Sequence, residues 1–184
     1  AAAAGPLLAQ NAITTSAEGL VAGQVSYDVN GFKDDLHGWD FVNQTGRIGD
    51  WNGHGTHCAG IAAAVGGNGI GIVGANPDAL IMPVTVMQSD GTGDVATIIK
   101  GIDYAVANGA DIISMSFGSY GESKAEEQAL GRAYQKAVLV AAAGNDGKCL
   151  NHKHPEEAQN FPMPMYPASY TFVLGVQAMN SKGI

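Results

Sequence analysis

Cysteine is nearly absent. Cys58 and Cys149 are the only two in 184 residues, which allows one disulfide but no disulfide framework. Charge is scarce too, at 14% of residues, and it tilts acidic to a net −8. A net acidic chain offers little to a polyanion, so nucleic acid is not an expected partner. Long apolar runs are missing as well. None reaches the length of a membrane span, so no membrane partner is expected. The opening AAAAGPLLAQNAITTS has no basic stretch before its apolar residues, so no signal peptide is visible. Residues 1–25 read as an N-terminal segment of no clear structural type.

What the chain does have is apolar residues, at 46%, and 26 glycines. The first implies a globular core and the second many tight turns. The length suits one domain. No internal repeat or long linker interrupts it.

From Asn52 onward, helix and strand patterns alternate. HCAGIAAAVG, from His57 to Gly66, has the small residues of a buried helix ended by glycine. ALIMPVTVM, Ala79 to Met87, reads as a strand containing one proline. Val95, Ile98, Ile99, Ile102, Ala105 and Val106 recur at helical spacing until Asn108-Gly109. DIISMSFG, Asp111 to Gly118, is a strand. SKAEEQALGRAYQKA, Ser123 to Ala137, is an amphipathic helix. VLVAAAGN, Val138 to Asn145, and TFVLGVQAM, Thr171 to Met179, are further strands. Strands apolar on both faces, separated by helices, predict an α/β fold with three layers and a mostly parallel central sheet. In such sheets reactive groups gather at the carboxyl ends of strands. QSDGTG, SFGS and GNDG all follow strands there.

NGHGTHCAG, Asn52 to Gly60, holds His54 and His57. An imidazole moves protons near neutral pH, so either can be a general base. The plainer reading is a capped helix start. A His-x-x-His pair without a third ligand is a weak metal motif. Asn145 alone reads as a turn residue in Asn-Asp-Gly.

Taken together and in order, NGHGTHCAG, SDGTG, SMSFG, AAAGNDG and YPASY closely resemble the subtilisin-like serine proteases, the subtilases or peptidase S8 family. The resemblance runs from about Asp35 to Gly183. It implies a subtilisin-like fold and peptide-bond hydrolysis through an acyl-enzyme. It implies His54 as the catalytic base and Asn145 as an oxyanion-hole donor. It implies that Gly91, Thr92 and Gly93, with Ser116, Phe117 and Gly118, flank an extended peptide or protein substrate. Ala143 and Gly144 would line the first specificity pocket. Cys58, just after the histidines, resembles the proteinase K branch, and a free thiol with little access is expected there. Family resemblance also implies a secreted or cell-surface location.

Two family motifs are missing. The Gly-Thr-Ser-Met-Ala-like stretch that carries the nucleophile does not occur, and Ser114 and Ser116 do not match it. The expectation is therefore a partial catalytic domain, 1–184, inactive alone, whose serine comes from a further segment or a second chain. No Asp-Thr/Ser-Gly tripeptide occurs either. Asp28 is one candidate for the orienting acid. The other possibility is that the acid-bearing strand is missing or altered. A non-enzymatic peptide-binding or scaffold protein on the same fold is the rival reading.

DVNGFKDD, Asp28 to Asp35, is oxygen-rich with a glycine bend, which suits Ca²⁺ or simply a solvated acidic turn. The resemblance implies a structural Ca²⁺ site at Asp35 together with Gly66, Asn68, Ile70 and Ile72.

Overall fold

Asp94 starts the most regular element. Its carboxylate accepts from the Thr97 amide at 2.9 Å and the Thr97 hydroxyl at 2.6 Å, filling donors that a helix start leaves open. The structure, a computed structural model, describes residues 13, 14, 31, 32, 35, 37–145 and 164–179. In chain order it contains β1 (Ile13–Thr14), β2 (Trp39–Asp40), α1 (His54–Ala63), β3 (Ile81–Met82), β4 (Val84–Thr85), α2 (Val95–Ala107), β5 (Ile112–Met115), α3 (Lys124–Ala133), β6 (Val138–Ala142) and β7 (Leu174–Val176).

β5, β6 and β7 form a parallel sheet in that order, with Ile113 opposite Leu139 and Ala141 opposite Gly175. β2 and β4 pair in parallel, and β1 and β3 antiparallel. The α/β class with parallel strands matches the sequence reading. The strand expected at 79–87 is split at Pro83. A proline has no N–H to give a ladder. Its carbonyl instead takes the Trp39 amide at 3.2 Å, and the strand changes partners there from β1 to β2.

The core gathers Trp39, Phe41, Val84, Val86, Ile102, Tyr104, Ile113, Met115, Leu130 and Leu139. α2 lays Ile98, Ile102 and Ala105 against it, the apolar stripe its spacing predicts. Ser123 caps α3, and Arg132 ties α3 to Asp103 of α2 at 3.2 Å.

α1 departs from expectation in three ways, the first being that it ends at Ala63 with Ala64 as its cap rather than at Gly66. It begins at His54, three residues earlier than the reading of His57–Gly66. It is also not a buried helix among the described residues: only Gly55 and Ala59 of its ten residues are buried. α3 stops at Ala133, four residues short of the reading, and turns follow.

Candidate active site

Asp50 explains the early start of α1. Its carboxylate accepts from the backbone amides of Asn52 at 3.1 Å, Gly53 at 2.7 Å and Thr56 at 2.9 Å, and from the Thr56 hydroxyl at 2.6 Å. Sequence reasoning missed this residue. The signal was an Asp six positions before a Thr, with a Gly-His helix start between them. Partial burial by itself would raise the Asp50 pKa. The Thr56 hydroxyl and the Thr56, Gly53 and Asn52 amides outweigh it and hold the carboxyl below its ordinary value.

Asp50→Ala should cost about 1–2 kcal/mol, the scale of a lost helix cap. The sign with pH follows from the depressed pKa. The contribution is present above the ordinary carboxylate value and is lost as pH falls through the lower folded value. Thermal melts should therefore separate wild type and variant at pH 7 and bring them together near pH 2. An equal gap at both pH values would refute the cap.

Asp50 thus holds the turn from which His54 projects. The imidazole Nε2 of His54 lies 2.9 Å from the carbonyl oxygen of Ser116. A carbonyl only accepts, so this contact places the ring proton on Nε2. Cys58 Sγ, one turn on, lies 3.8 Å from the same nitrogen. Cys58 is a free thiol, half-buried rather than inaccessible. Asn52, before the helix, donates through its side chain to the Ser89 carbonyl at 3.0 Å. That bond ties the histidine turn to the segment after β4.

That segment is a tight reversal. Gln88 N–H bonds the Thr92 carbonyl at 2.7 Å, and Asp90 accepts from the Thr92 amide and hydroxyl at 2.8 and 2.7 Å. Gly91, Thr92 and Gly93 are exposed along it. A pocket of about 230 Å³ is lined by Asn52, His54, Met87, Gln88, Gly91, Ser116, Phe117 and Gly118. Three separately predicted stretches therefore meet: the histidine turn, the Asp-Gly-Thr-Gly turn and the end of β5.

The end of β6 adjoins the wall from another side. A methyl placed on Gly118 would lie 2.8 Å from Met165 Sδ, and one placed on Gly144 would lie 2.8 Å from Met165 Cε. One thioether therefore sits against both glycines. Ala143 is held by its amide on the Val176 carbonyl at 2.9 Å. Asn145 follows as an exposed bend and does not line the pocket that holds His54.

The family model described as Subtilase family matches residues 8–183. This chain is a subtilase. It is 41% identical over 140 residues to thermitase of Thermoactinomyces vulgaris, covering 76% of this chain and 46% of thermitase. It is 41% identical over 146 residues to the minor extracellular protease Epr of Bacillus subtilis (strain 168), covering 79% of this chain and 21% of Epr. Subtilisin DY of Bacillus licheniformis is 39% identical over 145 residues, 78% of this chain and 49% of that protein. The subtilase chain thus spans about half, or less, of the length of these relatives.

The remaining sequence candidates are scattered. Asp28 lies outside the described residues, as does Cys149. Asp35 is buried, and its carboxylate accepts the Tyr104 hydroxyl at 2.8 Å. Burial, then that bond and the Asp35 charge, push the Tyr104 phenol well above its ordinary value. Asn68 and Ile70 are exposed, and the Asn68 side-chain oxygen accepts from the Ile70 amide at 2.9 Å. Among the described residues no three His, Cys, Asp or Glu side chains cluster to hold a metal. No helix among them is long and apolar enough to cross a membrane.

Proposed function

We propose that this chain is the histidine-bearing segment of a subtilase serine endopeptidase. The observation that carries the reading is the meeting of His54, Gly91 and Ser116–Gly118 around one pocket. Exposed strand-end backbone can pair with the backbone of an extended peptide, while the pocket sorts its side chains. His54 takes the proton of a serine supplied from outside this chain, and returns it to the leaving amine. Asn145 donates its amide to the tetrahedral oxyanion, where a carboxylate could not. For His54 to act through Nε2, that nitrogen must give up the proton it now shares with Ser116. An acid at Nδ1 achieves this by holding the other tautomer, and Asp28 is the candidate in this chain. The word "extracellular" in the name of Epr supports a secreted or cell-surface location.

A fluorophosphonate probe should label no serine in this chain alone. Hydrolysis of a chromogenic peptide should appear once a segment with a nucleophilic serine is supplied, joined to the chain or as a second polypeptide. Stoichiometric labelling of Ser114 or Ser116 in the chain alone would overturn the assignment. Peptide binding without hydrolysis after that addition would favour the peptide-binding protein instead.

A structural Ca²⁺ belongs to the same proposal. Gly67, Gly69 and Gly71 hold positive φ of 72°, 71° and 65°. They alternate with Gly66, Asn68, Ile70 and Ile72, and so curl the loop that bears those oxygens. Carbonyl, amide and carboxylate oxygens form a hard donor set that suits Ca²⁺. Bound there with Asp35, the ion would brace the region before His54 against the loop after α1. Millimolar Ca²⁺ should raise Tm, because only the folded chain can gather these groups. Asp35→Ala should remove most of the rise. An unchanged Ca²⁺ effect in that variant would show that the ion sits elsewhere.

A further inference from the structure

Glu126 is a buried carboxyl that the proposed chemistry does not use. It lies in the first turn of α3 and is 5% exposed. Its Oε2 is 3.4 Å from the hydroxyl of Tyr170, which is itself buried. The same hydroxyl oxygen is 2.9 Å from the Ser123 carbonyl and accepts from the Ser123 amide at 3.2 Å. A phenol has one hydrogen to donate. The Ser123 carbonyl can only accept, and it is the nearer oxygen, so it receives that hydrogen. Nothing then remains on Tyr170 to donate to Glu126. The contact becomes a hydrogen bond if the carboxyl carries the proton.

The surroundings favour the same state. Among the described residues no cation pairs with Glu126. Lys124 is held by Glu122 at 2.7 Å and Glu127 at 3.2 Å, and Arg132 by Asp103 of α2. A buried carboxylate without a cation is costly, and protonation relieves the cost. Burial pushes the Glu126 pKa up.

Tyr170 leads directly to the pocket. Its ring packs on Tyr166 with centroids 4.7 Å apart. Tyr166 exchanges two backbone hydrogen bonds of 2.8 Å with Ser119, the residue after Gly118. Met165, next to it, is the side chain against Gly118 and Gly144.

We propose that Glu126 is a neutral carboxylic acid that donates to Tyr170, and that this bond positions residues 165–170 behind the peptide-binding wall. The second half rests on the reading of residues 116–118 as that wall. The titratable groups acting on this junction are Tyr170 itself and Glu127 of α3. Burial is the main cause that raises the Tyr170 pKa, and the Glu127 charge helps to raise it.

The sign with pH is fixed by the raised pKa. The stabilisation is full below the ordinary glutamate value and is lost as pH rises through the folded value. Glu126→Gln keeps a donor and cannot ionise. Carbon-13 NMR of the side-chain carboxyls, with Glu126 assigned from the variant, should give a midpoint above that of exposed glutamates. Melts should show the variant gaining on wild type as pH rises from 4 to 8. A midpoint at or below the ordinary value, or parallel melting curves, would overturn the neutral acid.

Binding of a dansyl-labelled Ala-Ala-Ala-Phe amide reports the positioning. Wild type should lose affinity with rising pH relative to Glu126→Gln, and the comparison cancels the titration of His54. Identical profiles would overturn the positioning role. Binding to neither protein would overturn the wall reading and the positioning with it, while the carboxyl midpoint still decides the protonation state.

Discussion

Replacing His54 by alanine is expected to lower peptide hydrolysis by about 10²–10⁴-fold, the range general acid–base catalysis supplies, in an assembly that provides the nucleophilic serine. The loss should fall on kcat. His54 lines the pocket, while the backbone of half-buried Ser116 and Phe117, of exposed Gly118 and of exposed residues 91–93 would carry the peptide. Removing an imidazole leaves that backbone in place, so KM should change little. It also frees the Ser116 carbonyl from its 2.9 Å contact, and peptide binding should not weaken. Steady-state kinetics of the two proteins against one chromogenic peptide tests this. A variant that keeps kcat and loses only KM would make His54 a binding group rather than the base.

The largest stability loss is expected at Gly38. Its φ is +134°, and a methyl there would lie on the Pro83 carbonyl oxygen, at 1.9 Å. That oxygen cannot move aside, because it holds the Trp39 amide at the start of β2. Gly38→Ala therefore combines backbone strain of about 1–3 kcal/mol with overpacking of about 1–3 kcal/mol. Together these are a large part of the ~5–15 kcal/mol that holds a typical domain folded. Urea unfolding should show a much lower midpoint at unchanged slope. A midpoint close to wild type would mean that β2 and Pro83 separate without penalty. The proposed Ca²⁺ site should feel the change too, since the Gly38 amide bonds the Asp35 carbonyl at 3.1 Å.

The parts legible in the sequence were those where one local rule had no competitor. α2 shows this: its apolar spacing and the Asn108-Gly109 stop agree, and the helix forms at Val95–Ala107. The meeting of Gly91 with 116–118 was legible because polar turns after strands gather on one edge. His54 was joined to them only through the family resemblance, and Asn145, grouped by the same edge rule, does not line that pocket. Side-chain reach and partner choice were not legible. Asp50 caps α1 from outside the helix pattern, so the helix begins before its apolar run. Pro83 breaks a strand that hydropathy reads as continuous, because the lost N–H matters only once two different partners are present. Nothing in the amphipathic pattern of Ser123 to Ala137 singled out Glu126. Its burial depends on Tyr170, which lies 44 residues further on.

Among the described residues α1 buries only Gly55 and Ala59, while Ile61 is 52% exposed. Its fixed points are the Asp50 carboxylate at one end and, at the other, backbone bonds to the turn after it, Gly74 to Ala64 at 2.9 Å and Ala75 to Ile61 at 2.9 Å. A helix pinned mainly at its ends, with most of its residues exposed or half-buried among the described residues, opens without unfolding the sheet. Amide protons of α1 in this chain should therefore exchange with deuterium through local opening, well ahead of those in β5 and β6. Any segment that settles on the sides of α1 would slow that exchange, so the deuterium clock of one helix reports whether the histidine has been locked in place.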